Sequence, residues 1–220
     1  MDVKTFIWEP RDTNMYVIEE NNHILIIDPN DNKLVYKMCS EASSITVLLT
    51  HEHFDHICGL NKLRNVRDKN MRPCLVVSNE KCSERLKNSK TNMSAYAEVL
   101  AQLSEKQLPV DWTPFTCEEA DVTFNNQYSF LWMEHTVSLF YTPGHSEGSC
   151  CIVLDDDIVF VGDSILESRL MVKFPCSSRK RYRDATVPLL EKLLKNATKI
   201  YPGHGDVLTR ETALEIIKST

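Results

Sequence analysis

The sequence predicts an α/β protein with mixed β-sheets. Short runs rich in β-branched and aromatic residues recur in the first third and in the last hundred residues, which is typical of strands. Elsewhere, apolar residues recur at a spacing of three and four, which is typical of helices with one buried face. The length is sufficient to bury one large core, so we expect a single domain over residues 1–220.

The first third of the chain predicts several strands and the start of a helix. Two adjacent asparagines join the second strand to the third in a tight turn, because asparagine tolerates a positive φ. A helix is predicted to begin near His56, since Ile57, Leu60 and Leu63 are spaced for one buried face. The strands are predicted over residues 4–8, 14–19, 23–27 and 45–49.

Residues 68–118 differ from the strand-rich segments on either side and predict a helical insertion. A short strand over 74–77 is followed by Ser78 and Asn79, either of which is a suitable N-cap for a polar helix. A second helix is predicted from an apolar stripe made of Met93, Tyr96, Ala97, Leu100 and Leu103. We expect this stripe to pack on the core, and the loops of the segment are candidates for a lid.

The last hundred residues return to alternating strands and helices. An amphipathic helix is predicted over 184–195, with Pro188 near its first turn, where proline is tolerated. Thr209 is a suitable N-cap for a final helix that runs to Lys218. The strands are predicted over residues 122–124, 128–134, 137–141, 150–154, 158–161 and 199–201.

Charge and hydropathy exclude two classes of partner. The net charge of −6 and the isoelectric point near 5.7 describe an acidic protein that repels nucleic acid. No apolar run approaches the roughly 20 residues of a membrane span, and acidic residues stand where a secretory signal would be basic. We therefore expect a cytoplasmic protein with a small-molecule substrate and without a membrane or nucleic-acid partner. The oligomeric state stays open.

One heptapeptide combines three histidines with a carboxylate directly after a predicted strand. It reads Thr50-His51-Glu52-His53-Phe54-Asp55-His56. Imidazole and carboxylate ligands without thiolate suit zinc, iron or manganese, of which we expect zinc. The motif therefore predicts a metal site at the end of the strand over 45–49.

The eight cysteines are expected to be reduced thiols. They form no Cys-x-x-Cys pair and no dense disulfide pattern. Cys58 lies two residues beyond His56, and we expect its side chain to line the metal cavity.

Three further ligand-type residues, His145, Asp163 and His204, occur in a similar context. Each follows a predicted strand and has a glycine beside it, which lets the backbone turn sharply and approach a neighbour closely. If these strands share a direction, their ends meet at one edge of a sheet. Seven candidate ligands would then lie in one cleft.

The order of these motifs resembles that of the metallo-β-lactamase-fold superfamily, over about residues 15 to 207. The heptapeptide is followed by His145, Asp163 and His204, and the segment Ile26-Ile27-Asp28-Pro29 resembles the opening aspartate motif of the family. The resemblance implies a four-layer αββα sandwich, with the site at the edge where two mixed β-sheets meet.

The resemblance also implies two divalent metal ions and their ligands. The first ion would be held by His51, His53 and His145, and the second by Asp55, His56 and His204. Asp163 would bridge the ions, and Asp28 would orient a ligand histidine. Asp55 and Asp163 are the residues that we expect to act in catalysis.

Two divalent ions also imply a reaction type. Held a few Å apart, they can share one water, lower its pKa to about neutral and direct the resulting hydroxide at a carbonyl. Neither a serine nor a cysteine nucleophile is needed.

Within the family, the chain most resembles the glyoxalase II branch, the hydroxyacylglutathione thioesterases. The zinc β-lactamases carry cysteine or serine at the position of Asp163, which argues against antibiotic hydrolysis. Quorum-signal lactonases carry tyrosine at the position of Leu166. We therefore expect hydrolysis of a small thioester or acyl ester. Lys173 lies near the place where glyoxalase II enzymes keep a glutathione-binding lysine.

A dense basic run is a second candidate for substrate contact. It contributes Arg179, Arg181, Tyr182 and Arg183, which suit a carboxylate or phosphate of an anionic substrate. The alternative is the solvated start of a helix.

Two other activities of the fold stay open. Persulfide dioxygenases, which are oxidoreductases, hold one iron with the equivalents of His51, His145 and Asp163, and all of these are present. Phosphodiesterases and RNA-processing nucleases use the same ligands, although the acidity of the chain argues against RNA.

Overall fold

The computed structural model describes residues 2–70, 73–166 and 176–219. Within these ranges the strands form two sheets, and the first sheet has six strands in sequential order. They are β1 (Lys4–Trp8), β2 (Thr13–Glu20), β3 (His23–Ile27), β4 (Ser44–Leu48), β5 (Cys74–Asn79) and β6 (Val122–Phe124). β1 to β3 are antiparallel, and β3 to β6 are parallel.

The second sheet has five strands in the described part of the chain. They are β7 (Gln127–Trp132), β8 (His135–Tyr141), β9 (Cys150–Leu154), β10 (Ile158–Gly162) and β11 (Lys199–Pro202). Their order in the sheet is β11-β10-β9-β8-β7, and only β10 and β11 form a parallel pair. β8, β10 and β11 therefore point in one direction, and their C-terminal ends lie at the same edge.

A core shared by the two sheets holds them together. It includes Leu25 from β3, Ile152 from β9 and Phe160 from β10. Alternate strand residues face opposite sides of a sheet, so Ile24 and Ile26 of β3 pack in a second core, outside the first sheet. Both faces of β3 are buried, which explains its continuous apolar run.

Helices cover the outer faces and complete four layers. They are α1 (Lys33–Glu41), α2 (Phe54–Ile57), α3 (Leu60–Asn70), α4 (Glu80–Leu86), α5 (Ala97–Leu103), α6 (Arg179–Arg181), α7 (Val187–Leu193) and α8 (Arg210–Ser219), with a 3₁₀ turn at Ser94–Tyr96 and a π-helix at Tyr182–Thr186. Val35 and Leu86 pack outside the first sheet, and Leu190 and Ile217 pack outside the second. The αββα sandwich is therefore confirmed.

Most predicted elements lie where the residue pattern places them. The predicted strands over 4–8, 23–27, 122–124 and 150–154 have the observed bounds, and the others differ by one or two residues at one or both ends. Asn79, rather than Ser78, caps α4, since its side chain accepts from the Lys81 N–H. The Thr209 hydroxyl accepts from the Thr212 N–H at 3.1 Å and caps α8, as predicted.

Two predicted helices are interrupted by tertiary contacts. The helix near His56 is divided into α2 and α3, and Gly59 at the division donates its N–H to the Pro29 carbonyl at 2.9 Å. The helix expected over 184–195 begins earlier, at Arg179, and passes through the π-helix. There the Thr186 hydroxyl donates to the Pro143 carbonyl at 2.7 Å, a contact that helical spacing in the sequence does not reveal.

The segment 68–118 is only partly outside the sheet. β5 pairs with β4 and β6, so the helical part begins after it, at α4. The apolar stripe packs on the core only in part: Met93 and Ala97 are buried, but Tyr96 is 44% and Leu103 78% exposed. α5 buries the face that carries Ala97, and Leu103 lies on its exposed side.

We propose that residues 1–220 form one domain, a proposal that the core shared between the sheets supports. No helix in the described ranges is long and apolar enough to cross a bilayer.

Candidate metal centre

The candidate ligands lie in loops and in α2 at one edge of the sandwich. The heptapeptide follows β4, and the ligands from the second sheet follow β8, β10 and β11, namely His145, Asp163 and His204. The Cys150 N–H donates to the Thr50 carbonyl at 2.7 Å, which joins the sheets at this edge. A Cβ on Gly203 would lie 2.1 Å from Asp163 Oδ1, so only glycine allows the loop after β11 to come this close.

His51, His53 and His145 form one compact group of buried imidazoles. Their candidate ligand atoms all lie within 4.8 Å of one another, and His145 Nε2 is 2.9 Å from His53 Nδ1. Burial, and then repulsion by neighbouring imidazoles, holds the pKa of His51 and of His53 well below the usual value. Neutral imidazole is the form that binds a metal ion.

Asp55, His56 and His204 form a second group with the same 4.8 Å limit between candidate ligand atoms. Asp55 Oδ2 is 3.5 Å from His204 Nε2 and 3.9 Å from His56 Nε2. The Thr13 hydroxyl donates to Asp55 Oδ2 at 2.9 Å, and His204 Nδ1 donates to the Arg11 carbonyl at 3.1 Å. The β1–β2 turn and the first residue of β2 therefore hold two members of this group.

Asp28 lies behind the second group, in contact with His56. His56 Nδ1 donates to Asp28 Oδ2 at 2.9 Å, and the Thr50 N–H donates to Asp28 Oδ1 at 2.7 Å. Both carboxylate oxygens are therefore engaged, which favours an orienting role over metal ligation. With Nδ1 held, His56 directs Nε2 toward Asp163 at 3.4 Å.

The Asp163 carboxylate lies between the two groups. Its Oδ2 is 3.4 Å from His145 Nε2 in the first group and 3.5 Å from His204 Nε2 in the second. Burial alone would raise the pKa of Asp163, but His204, His56 and His145 hold it well below the usual value. One ionised carboxylate thus reaches both groups.

Three buried atoms of the cluster have no hydrogen bond within the described residues: His51 Nε2, His56 Nε2 and Asp163 Oδ1. Buried polar atoms without partners cost free energy, and bound cations would satisfy all three. Imidazole and carboxylate donors without thiolate fit a divalent ion. The cluster is therefore a divalent-metal site.

A cleft above the cluster has one apolar wall. Phe54, Met93 and Leu100 form the wall, and Arg11 adds a guanidinium. Arg11 Nη1 donates to the Leu100 carbonyl at 3.2 Å and to the Ser104 hydroxyl at 2.7 Å, which ties the β1–β2 turn to α5. An isolated arginine in a turn gives no signal in the sequence, so the sequence prediction did not include this residue.

The basic run lies outside this cleft. Arg179, Arg181 and Arg183 are exposed, and they are not among the described residues that line the cleft. Tyr182 is 2% exposed and packs in the core outside the second sheet, where its hydroxyl donates to the Ser164 carbonyl at 2.7 Å. The expectation that Tyr182 contacts substrate is therefore wrong. Lys173 lies outside the described residues.

Cys176, and not Cys58, lies against a candidate ligand. Cys176 Sγ is 3.5 Å from His53 Nε2. Cys58 Sγ is 3.8 Å from the Asp55 carbonyl oxygen and packs beside the cluster that contains Trp8. Cys58 is not among the described residues that line the cleft. The expectation that its side chain lines the metal cavity is therefore wrong. The eight cysteines all lie within the described residues and are thiols that form no disulfide with one another, as expected.

Known proteins share both the sequence pattern and the fold. The family model of the metallo-beta-lactamase superfamily matches residues 45–204. A probable metallo-hydrolase of Streptococcus pyogenes is 28% identical over 209 residues, covering 89% of this chain and 80% of that protein. A hydroxyacylglutathione hydrolase of Psychromonas ingrahamii is 33% identical over 66 residues, covering 29% of this chain and 23% of that protein.

A solved structure described as BLEG-1 B3 metallo-beta-lactamase is similar over nearly the whole length. Its TM-score is 0.74 at 25% identity, and the match covers 97% of both chains. The family and the divalent-metal site together support a metal-dependent hydrolase acting on a small molecule. The chain belongs to the metallo-beta-lactamase superfamily.

Proposed function

We propose that the chain is a dinuclear hydrolase of a small thioester or acyl ester, of the glyoxalase II type. The position of Asp163 carries this proposal, because its carboxylate lies 3.4 Å from His145 in one ligand group and 3.5 Å from His204 in the other. A carboxylate placed between two ligand groups suits a pair of ions. Zinc fits the donor set best, with iron and manganese as alternatives.

The proposed ligands divide as the two groups divide. His51, His53 and His145 would hold the first ion, Asp55, His56 and His204 the second, and Asp163 would contact both. When bound, two divalent ions lower the pKa of a shared water and polarise a substrate carbonyl. Asp55 and Asp163 are the proposed catalytic carboxylates.

The surrounding residues fix these groups and exclude solvent. The Thr13 hydroxyl holds Asp55, and the Asp28 carboxylate holds His56. Both held side chains are nearly fully buried. Electrostatic interactions are stronger in such water-poor surroundings, and groups held in place need little reorganisation during the reaction.

The cleft supports a substrate with an apolar acyl part and an anionic group. Phe54, Met93 and Leu100 offer a wall for the acyl part. The guanidinium of Arg11, at the same cleft, suits a carboxylate. The partial match to a hydroxyacylglutathione hydrolase favours a thioester among the acyl compounds.

A substrate screen on zinc-loaded protein tests the proposal. We expect thiol release from S-D-lactoylglutathione or another acyl thioester, followed with a thiol reagent, and loss of that release in the near-isosteric variant Asp163→Asn. Thiol release that Asp163→Asn leaves unchanged would show a contaminating activity.

Other outcomes of the same screen would overturn the proposal. Oxygen uptake on glutathione persulfide by protein with one iron would identify the dioxygenase alternative. Hydrolysis of bis(p-nitrophenyl) phosphate without thioester cleavage would identify a phosphodiesterase. Hydrolysis of nitrocefin alone would identify a β-lactamase.

A further inference from the structure

Glu52 is a buried carboxylate inside the heptapeptide, but it belongs to neither of the two ligand groups. It lies between His51 and His53, and its side chain is 0% exposed. Burying a carboxylate is costly unless it is paired and hydrogen bonded. Its partners therefore indicate what this residue does.

One partner is the loop that carries His145. Glu52 Oε2 accepts from the Ser146 hydroxyl at 2.8 Å. The Ser146 N–H in turn donates to the Ser149 hydroxyl at 3.0 Å, and the two hydroxyls are 2.8 Å apart. Glu52 thus contacts the residue next to His145, and that contact is braced within the loop.

The other partner is Arg85 near the end of α4. Its Nε is 2.8 Å from Glu52 Oε1, and its Nη1 is 3.2 Å from Glu147 Oε2. The first contact is a close ion pair without good hydrogen-bond direction, since neither atom makes a hydrogen bond of acceptable geometry. Arg85 therefore bridges the motif after β4 and the loop after β8.

Gly148 brings the same loop against α4. A Cβ at this position would lie 2.4 Å from the backbone of Cys82 and 2.6 Å from Glu52 Oε2. No side chain fits there, so the loop, the helix and Glu52 meet without intervening space.

We propose that Glu52, with Arg85 and Ser146, is a positioning residue that sets the place of His145 against His51 and His53. The inference rests on the proposed ligation of one ion by these three histidines. It assigns the helical segment after β5 a part in forming the metal centre, since α4 supplies Arg85. A residue that orients ligands from outside the coordination shell changes metal affinity about 10–100-fold when it is removed.

The test measures metal binding without any substrate. Ser146→Ala removes the hydrogen bond between Glu52 and the loop, and Glu52→Gln removes the charge with little change in shape. We expect each variant to bind cobalt(II) at least about tenfold more weakly in a chelator competition. We also expect the visible cobalt spectrum to change, because the His145 ligand would be displaced.

Two control variants separate positioning from loss of stability. Glu84→Gln makes the same charge change on α4, in a side chain that is 52% exposed and paired only with Lys81 by ion pair among the described residues. Ile217→Val slightly destabilises the core outside the second sheet. Neither should alter cobalt affinity or spectrum.

Cobalt affinity and spectrum equal to wild type in both Ser146→Ala and Glu52→Gln would overturn the inference. So would an equal loss of affinity in Ile217→Val, which would assign the effect to stability. If Glu52→Gln does not fold, the milder Ser146→Ala decides. Because no substrate is present, a negative thioester screen leaves this inference untouched.

Discussion

His56 Nδ1 donates to Asp28 Oδ2 at 2.9 Å, and this bond decides which nitrogen of the imidazole meets the metal site. With Nδ1 engaged, His56 presents Nε2 to Asp163 at 3.4 Å. The second ligand group therefore depends on a residue at the end of β3, outside the histidine motif.

Replacing Asp28 with asparagine should weaken metal binding while preserving the fold. Asp28 has a φ of +55°, a conformation that asparagine tolerates, but the amide offers one acceptor where the carboxylate uses both oxygens. We expect zinc affinity to fall about 10–100-fold, measured by competition with a chromogenic chelator. Wild-type affinity in Asp28→Asn would show that His56 is oriented without this contact.

Each of the two ligand groups should account for about half of the metal bound per chain. His204→Ala removes a member of the second group, so we expect the metal per chain to fall by about half. Asp163→Asn should lower it further, because Asp163 contacts both groups. Elemental analysis of freshly purified protein checks both variants. A wild-type protein with one ion that His204→Ala retains would contradict the two-ion proposal.

Removing the guanidinium of Arg11 should weaken the binding of an anionic substrate. A hydrogen bond to a charged group contributes about 1.5–3 kcal/mol, so Arg11→Ala should raise KM roughly 10–100-fold with a smaller change in kcat. Steady-state kinetics on an anionic thioester and a neutral thioester provide the comparison.

Ser104→Ala is the matched control for Arg11→Ala. It removes the 2.7 Å bond that Arg11 Nη1 donates, but keeps the charge. An equal rise in KM in both variants, or for both substrates, would show that Arg11 only ties the turn to α5.

The basic run should be dispensable for substrate binding. Arg181 and Arg183 are exposed, and neither is among the described residues that line the cleft. We expect Arg181→Ala and Arg183→Ala to leave KM unchanged and to alter the free energy of unfolding by no more than about 0.5 kcal/mol. A KM that rises for the anionic substrate only would return this run to the binding site.

Metal removal should lower stability without unfolding the chain. The cores on both sides of each sheet consist of apolar side chains and do not need an ion. At about 100 times Kd, a bound ion adds roughly 2.7 kcal/mol, which corresponds to about 5–10 °C in Tm for this size of domain. Thermal unfolding with and without chelator measures the shift. A circular dichroism spectrum typical of an unfolded chain after chelation would refute the prediction.

Local pattern was sufficient for the strands and for the candidate metal ligands. Strand bounds follow from β-branched runs whose side chains alternate between two buried faces, as Ile26 and Ile27 do in β3. The ligand types and their spacing within the heptapeptide are also local properties. The pattern failed at Tyr182, since a tyrosine in a basic run carries no sign of the core contact that buries it.

The sequence by itself predicted the fold class and the candidate ligands of a divalent-metal site, because these depend on side-chain chemistry and short-range periodicity. The family resemblance implied the roles of Asp163 and Asp28. Only the tertiary structure decided that His56 is the histidine that Asp28 holds, how far Asp163 lies from each ligand group, and that Arg11 lines the cleft. These relationships join residues far apart in the chain, so they depend on how the two sheets pack. The position of Glu52 in the motif could be seen in the sequence, but its contacts with Arg85 and Ser146 exist only once α4 and the loop after β8 have come together.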